Sequence, residues 1–250
     1  MKHPPAPLVT PIYVKTQPET AWPDDTFFYL LTANGLFLGR NHQFFRSCVP
    51  ARHWPSELRR QEAFLVPTYP RMSRRTIERI VGFFSAVAAR YGSEAGVLLV
   101  WDQMAKQVQV VVPEQLATVS RNQWGDVFPI GLKYTVPTDL PPTWVLIGDV
   151  HSHVDAAATP SSIDDRDETH RAGLHIIVGR LNAEPPSFHV EAVVDGTRFR
   201  LATDQVVEAY ERRAPRAPQD WMDKVRVRIL GSGSGADHAG APHHEDGDTR

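Results

Sequence analysis

Two histidines stand one residue apart in HSHVDAAATPSSID, residues 151–164. An apolar run, TWVLIGDV (143–150), precedes them, and a loop of small residues leads on to Ser161 and Asp164. The run reads as a buried strand. Strand side chains alternate, so His151 and His153 at its end point to the same side, where two imidazoles can chelate one cation. A hydrolytic zinc takes three protein ligands and leaves its fourth position for water. The natural third ligand is a carboxylate returning from the next element, and Asp164 stands one helical turn after Ser161. Ser161-x-x-Asp164 is equally a helix capping box, common where no metal binds, and a lone H-x-H often just finishes a strand. The combination is what points to a metal. Ser162-x-x-Asp165 offers a second capping box, in which Asp165 is a first-turn charge favouring the helix dipole. Asp149 shares the strand face of His151; it is a candidate to orient a ligand by a hydrogen bond, or an ordinary hydrogen-bonded strand aspartate.

The pattern H-x-H-x7-S-x2-D resembles the JAMM motif of the JAB/MPN zinc metalloprotease family, and the SSID spelling resembles its deubiquitinating members. The likeness runs over about residues 73 to 202: a helix, a strand opened by a glutamate, the H-x-H strand, then GLHIIVG and a hairpin. It implies a zinc on His151, His153 and Asp164. It implies that Ser161 holds the attacking water or the developing oxyanion, and that Glu94 is the general acid/base. Each role has a reason: zinc makes hydroxide available near neutral pH, a carboxylate relays its proton to the leaving amine, and a hydroxyl steadies the charge on the attacked carbonyl. Two positions depart from the family pattern. Val154 follows H-x-H where proline is usual, and Gly96 stands two rather than three residues after Glu94. Glu94 is selected because it follows the helix end and opens a strand; its bland reading is a solvated residue at a strand start. Glu78, on the helix, and Glu114, at the far end of a strand, are poorer candidates.

By this resemblance the chain is a prokaryotic-type, zinc-dependent peptidase or isopeptidase associated with ubiquitin-like conjugation systems. It would cleave after the C-terminal glycine of a ubiquitin-like protein, maturing a precursor or reversing a conjugate. The implied partners are that protein or its conjugate, with E1-like and E2-like proteins of the same system. The alternative is a catalytically weak scaffold or binding module on the same fold. HSHVD also begins the H-x-H-x-D-H motif of metallo-β-lactamase-like hydrolases, but Ala156 replaces the next histidine and too little chain remains for the other ligands. The same shortage excludes an amidohydrolase barrel.

The elements that must position these residues are readable in outline. Ser73 opens a helix whose apolar residues Ile77, Ile80, Val81, Phe84, Val87, Ala88 and Tyr91 recur at helical spacing, with Gly92 as its stop. EAGVLLVWD (94–102), KQVQVVV (106–112), GLHIIVG (173–179) and KVRVRIL (224–230) read as strands. Asn34-Gly35 and Asp195-Gly196 mark hairpin turns, and DQVVEAYER (204–212) reads as a short helix. The stretch 114–142 reads as a loop shaping a groove, with Trp124 and Phe128 either touching substrate or packing the domain's own surface. A ubiquitin-like tail would enter that groove extended, adding to an exposed strand edge. His175 and His189 lie in apolar strands and read as satisfied strand residues; His170, His238, His243 and His244 carry no clear role.

The expected fold is α+β: a mixed β-sheet flanked by helices, JAB/MPN-like, with a β-rich N-terminal extension. The expected division is an extension over 1–70, the metalloprotease domain over 71–212, a C-terminal segment over 213–230 and a disordered tail over 231–250. The chain has 250 residues, 42% hydrophobic and 22% charged, with a formal net charge of −2, which gives no electrostatic reason for nucleic acid or an anionic membrane. Its single cysteine, Cys48, excludes an internal disulfide and a cysteine zinc cluster. No apolar run approaches the ~20 residues of a spanning helix, and the N-terminus is too broken by proline for a signal sequence, so a cytoplasmic protein is expected. High Ala, Arg and Pro with only five lysines suits a GC-rich bacterial genome.

Overall fold

The computed structural model describes residues 10–161 and 172–231, and divides the chain into two units, Met1–Phe64 and Leu65–Arg250. The first unit is a four-stranded sheet in the order β1 (Ile12–Val14), β2 (Phe27–Thr32), β3 (Gly35–His42), β4 (Phe45–Pro50). Thr32 pairs with Gly35, so the turn between β2 and β3 is Ala33-Asn34, one residue ahead of the expected Asn-Gly. Phe28 is fully buried, with the rings of Tyr13 and Trp22 edge-on against it.

The second unit opens with helix α1 (Arg74–Tyr91), and its ends follow from local chemistry. Ser73 Oγ accepts the backbone N–H of Thr76 at 3.2 Å, and Gly92 takes φ 62°, a left-handed stop that needs no Cβ. The apolar face of α1, including Ile77, Ile80, Val81, Phe84 and Val87, packs on a six-stranded sheet through Val97, Leu99, Val150, Leu174, Ile176 and Val178. That sheet has the order β12 (Thr197–Arg200), β11 (Ser187–Val194), β10 (Gly173–Gly179), β9 (Trp144–Ser152), β5 (Gly96–Asp102), β6 (Gln107–Val111). Its one parallel pair is β9 with β10. The turn joining β11 to β12 is Asp195-Gly196, both at positive φ, as expected.

Two expectations are corrected. Residues 114–142 are not a loop: β7 (Gln115–Arg121) and β8 (Val127–Tyr134) form an antiparallel hairpin. It is extended by β13 (Val225–Leu230), parallel to β7, into a three-stranded sheet ordered β13-β7-β8. The helix expected over 204–212 is only a 3-10 turn, Thr203–Gln205. Val206 and Val207 sink into the core instead, where Met72 pairs with Val207 and its N–H donates to Val206 O at 2.7 Å. Tertiary pairing outweighs the local helical pattern there.

The second unit is thus built on a mixed sheet, with fewer helices than expected. Among the described residues α1 is the only long helix. The one-turn α2 (Gln219–Met222) sets Trp221 edge-on against Phe83, with ring centroids 5.5 Å apart. No described helix is long and apolar enough to cross a membrane.

Candidate metal centre

The H-x-H strand reaches its working phase through a bulge. Leu99 and Val100 of β5 face Gly148 and Leu146 of β9, so Ile147 is an extra residue. A bulge re-aims the side chains beyond it. From Asp149 onward period two holds: Val150 enters the α1 core, while Asp149, His151 and His153 line a cavity on the opposite side.

His151 Nε2 and His153 Nε2 lie 3.2 Å apart. Two nitrogens bound at ~2.0–2.1 Å with a tetrahedral angle at one zinc stand about 3.3 Å apart, so the pair already has a chelating bite. The tautomer agrees. His153 Nδ1 lies 3.3 Å from Ala157 O; a carbonyl only accepts, so that nitrogen carries the proton and Nε2 keeps its lone pair. Two imidazole nitrogens at this spacing suit zinc; no cluster of three metal-binding side chains forms among the described residues.

The loop after His153 is held against β10. His153 N–H donates to Val178 O at 2.9 Å, Arg180 N–H to Ala156 O and Leu181 N–H to Val154 O, both at 2.8 Å. Gly179 permits the approach: an added Cβ would lie 2.4 Å from Ala156 O and 2.4 Å from Ala158 N. Val154 sits at φ 49°, a strained conformation for a β-branched residue and one closed to the proline usual in the family.

Glu94 lies just before β5. The ladder continues past the strand end, with Ser152 N–H donating to Ala95 O at 2.9 Å and Ala95 N–H to Ser152 Oγ at 3.1 Å. Since Gly96 pairs with His151, two steps further bring Glu94 opposite His153. Glu94 and Ser161 line the same cavity of about 1290 Å³ as the histidines. Four of the five residues singled out from the sequence therefore border one space. The fifth, Asp164, lies outside the described residues, as do Ser162, Asp165 and His170.

Other parts of the cavity wall were not apparent in the sequence. The three-stranded sheet is stitched to β5 by Gln115: its buried amide accepts Gly96 N–H at 2.8 Å and donates to Gly96 O at 3.1 Å. It is stitched to β9 by Tyr134, whose hydroxyl donates to Asp149 Oδ2 at 3.2 Å. The other oxygen of the buried Asp149 lies 3.2 Å from Nδ1 of the buried His175, so Asp149 orients these groups from within the sheet. β8 is an outer strand of its sheet among the described residues, and its residues 129–134 line the cavity, leaving a strand edge along it. Trp124 is 78% exposed and does not pack the domain's surface; neither it nor Phe128 lines the cavity. His189 pairs with Glu191, which also receives Arg198 at 2.8 Å. Glu114 is bonded to Lys224 at 2.7 Å.

Residues 79–193 match the family of prokaryotic homologs of the JAB domain. The match lies within the second unit, whose residues 79–193 are similar to a prokaryotic JAB domain. Solved structures similar to this chain include a Desulfitobacterium hafniense protein at 14% identity, covering 57% of this chain and 92% of that one, with a TM-score of 0.33. A JAB1/MPN domain protein from Archaeoglobus fulgidus is 21% identical over 55% of this chain and 99% of its own, with a TM-score of 0.30. A Salinibacter ruber protein is 19% identical over 59% and 94%, with a TM-score of 0.29. No curated protein matches the chain. The JAB family includes metalloproteases.

Proposed function

We propose that this JAB domain is a zinc-dependent peptidase or isopeptidase that cuts after the C-terminal glycine of a ubiquitin-like protein. The observation that carries the reading is the 3.2 Å separation of the two histidine Nε2 atoms, beside a glutamate on the same cavity wall. His151, His153 and Asp164 would hold the ion. Bound zinc supplies Lewis-acid activation of water and of the scissile carbonyl. Glu94 takes a proton from the attacking water at its carboxylate and delivers it to the leaving amine. The Ser161 hydroxyl donates to the oxygen on which charge develops. The substrate's tail lies extended along the β8 edge, adding a strand to it and leading its terminal glycine to the histidines. Glycine suits that position because it lets two backbones approach closely.

The test is cleavage of a ubiquitin-like protein fused through its terminal glycine to a reporter, followed by electrophoresis and mass spectrometry. Wild type should cut after the glycine, and both a chelator and Glu94→Gln should stop it. Cleavage that survives chelation overturns the metal-dependent reading. Zinc-loaded chain that leaves every glycine-terminated fusion intact overturns the substrate.

A further inference from the structure

The strands of the three-stranded sheet carry four cations, Arg121, Lys133, Arg226 and Arg228, and no carboxylate. The whole chain has 27 Lys+Arg against 29 Asp+Glu, so this sheet departs sharply from its composition. None of the four makes an ion pair among the described residues. Arg226 pairs in register with Leu116, and Leu116 with Lys133, so an exposed leucine stands between two exposed cations in one row across three strands. Two interstrand spacings put those cations ~10 Å apart. All three residues line the cavity that contains His151 and His153, and Lys133 is the immediate neighbour of Tyr134. Leu116 is 40% exposed and Ile130, on the same wall, 51%. Glu114, which also lines the cavity, is engaged by Lys224 at 2.7 Å, and that bond together with the charges of Lys224 and Arg226 holds it below the usual carboxylate range.

We infer that the Arg226–Leu116–Lys133 row is a specificity surface that selects an acidic polypeptide segment, carrying carboxylates on both sides of an aliphatic side chain. Charge complementarity fixes the sign of the partner, and the leucine between the cations, with Ile130 on the same cavity wall, fixes its apolar centre. Single-stranded nucleic acid is held on aromatic platforms, which this row lacks. The class of ligand, a polypeptide, rests on the peptidase reading; the charge it must carry does not.

The test is fluorescence anisotropy on the full chain treated with EDTA, so that binding is read without metal or cleavage. The probe is a fluorescein-labelled decapeptide of alternating aspartate and leucine; its lysine–leucine twin and labelled oligothymidylate are the comparisons. The acidic peptide should bind best and weaken as salt rises. Joint Lys133→Glu and Arg226→Glu substitution should weaken it about ten-fold, two exposed charge contacts being lost and reversed. The melting temperature should hold, since both side chains are exposed. If the reversal unfolds the chain, Lys133→Gln with Arg226→Gln should give about a three-fold loss. Equal binding of the two peptides, no effect of either double substitution in a folded chain, or tighter binding of oligothymidylate would each overturn the inference. Zinc content measured on the same variants separates this outcome from failure of the metal reading.

Discussion

Replacing Gly179 by alanine should loosen the candidate metal centre without touching a proposed ligand. The added Cβ would lie 2.4 Å from Ala156 O and Ala158 N and 2.7 Å from Ala157 C, all backbone atoms. Relief requires the 154–159 loop to withdraw by about 1 Å from β10. That loop is tied down by Arg180 N–H to Ala156 O and Leu181 N–H to Val154 O, each 2.8 Å. Two backbone hydrogen bonds are worth about 1 kcal/mol each, and residual strain adds to their loss, giving about 2–4 kcal/mol. For a unit of this size that lowers the melting temperature by about 5–10 °C. The same movement takes Ala157 O away from His153 Nδ1, now 3.3 Å distant, and frees the imidazole to turn. Loss of such an orienting partner weakens metal affinity about 10–100-fold. Thermal unfolding of metal-free protein and zinc competition against a chromophoric chelator read the two effects separately. Gly131, with nothing within 4 Å of an added Cβ, is the control. If Gly179→Ala matched the control in stability, the close approach would be refuted. If it were destabilised yet held zinc as tightly as wild type, the coupling of loop to ligand would be refuted.

Gln115→Ala should cost about 2–4 kcal/mol in urea unfolding, because it strands the buried N–H and C=O of Gly96; a variant within 0.5 kcal/mol of wild type would contradict this. Tyr134→Phe removes the hydroxyl that donates to Asp149, so it should cost ~0.5–1.5 kcal/mol and leave zinc stoichiometry intact. Stability should also fall in acid. Burial alone would raise Glu184, but hydrogen bonds from Arg213 and Tyr210 outweigh it and hold the carboxyl below its ordinary range; at Glu191 burial is likewise outweighed, by His189 and Arg198. A depressed carboxylate contributes stability above its unfolded pKa of ~4.3, and that contribution is lost as pH falls through the folded value. Unfolding free energy should therefore drop below about pH 4.5, and drop less in Glu184→Gln; an identical pH profile for the two proteins would count against the Arg213 clamp.

What the sequence reveals of this fold is what local chemistry controls. α1 is readable because its cap, its apolar period and its stop glycine all lie within one stretch, and the Asp195-Gly196 turn because two residues decide it. The β7–β8 hairpin is not readable in this way. Pro129 and Gly131 interrupt β8, and β7 is completed by a strand more than a hundred residues later. A bulge such as that at Ile147 leaves no mark either, although it sets the phase of the H-x-H strand. The site divides along the same line. Spacing alone announces that His151 and His153 share a face, and the helix stop announces that Glu94 leads into a neighbouring strand. Gln115 and Tyr134 reach the cavity from a second sheet, so no spacing relates them to the histidines.

Native mass spectrometry of the purified chain, with zinc counted on wild type, His153→Ala, Asp164→Ala and Glu94→Gln, tests the central claim most directly. One zinc in wild type, lost in His153→Ala and Asp164→Ala but retained in Glu94→Gln, is the expected result. A wild-type chain that carries no zinc after incubation with it, or a His153→Ala variant that binds zinc as wild type does, would contradict the account.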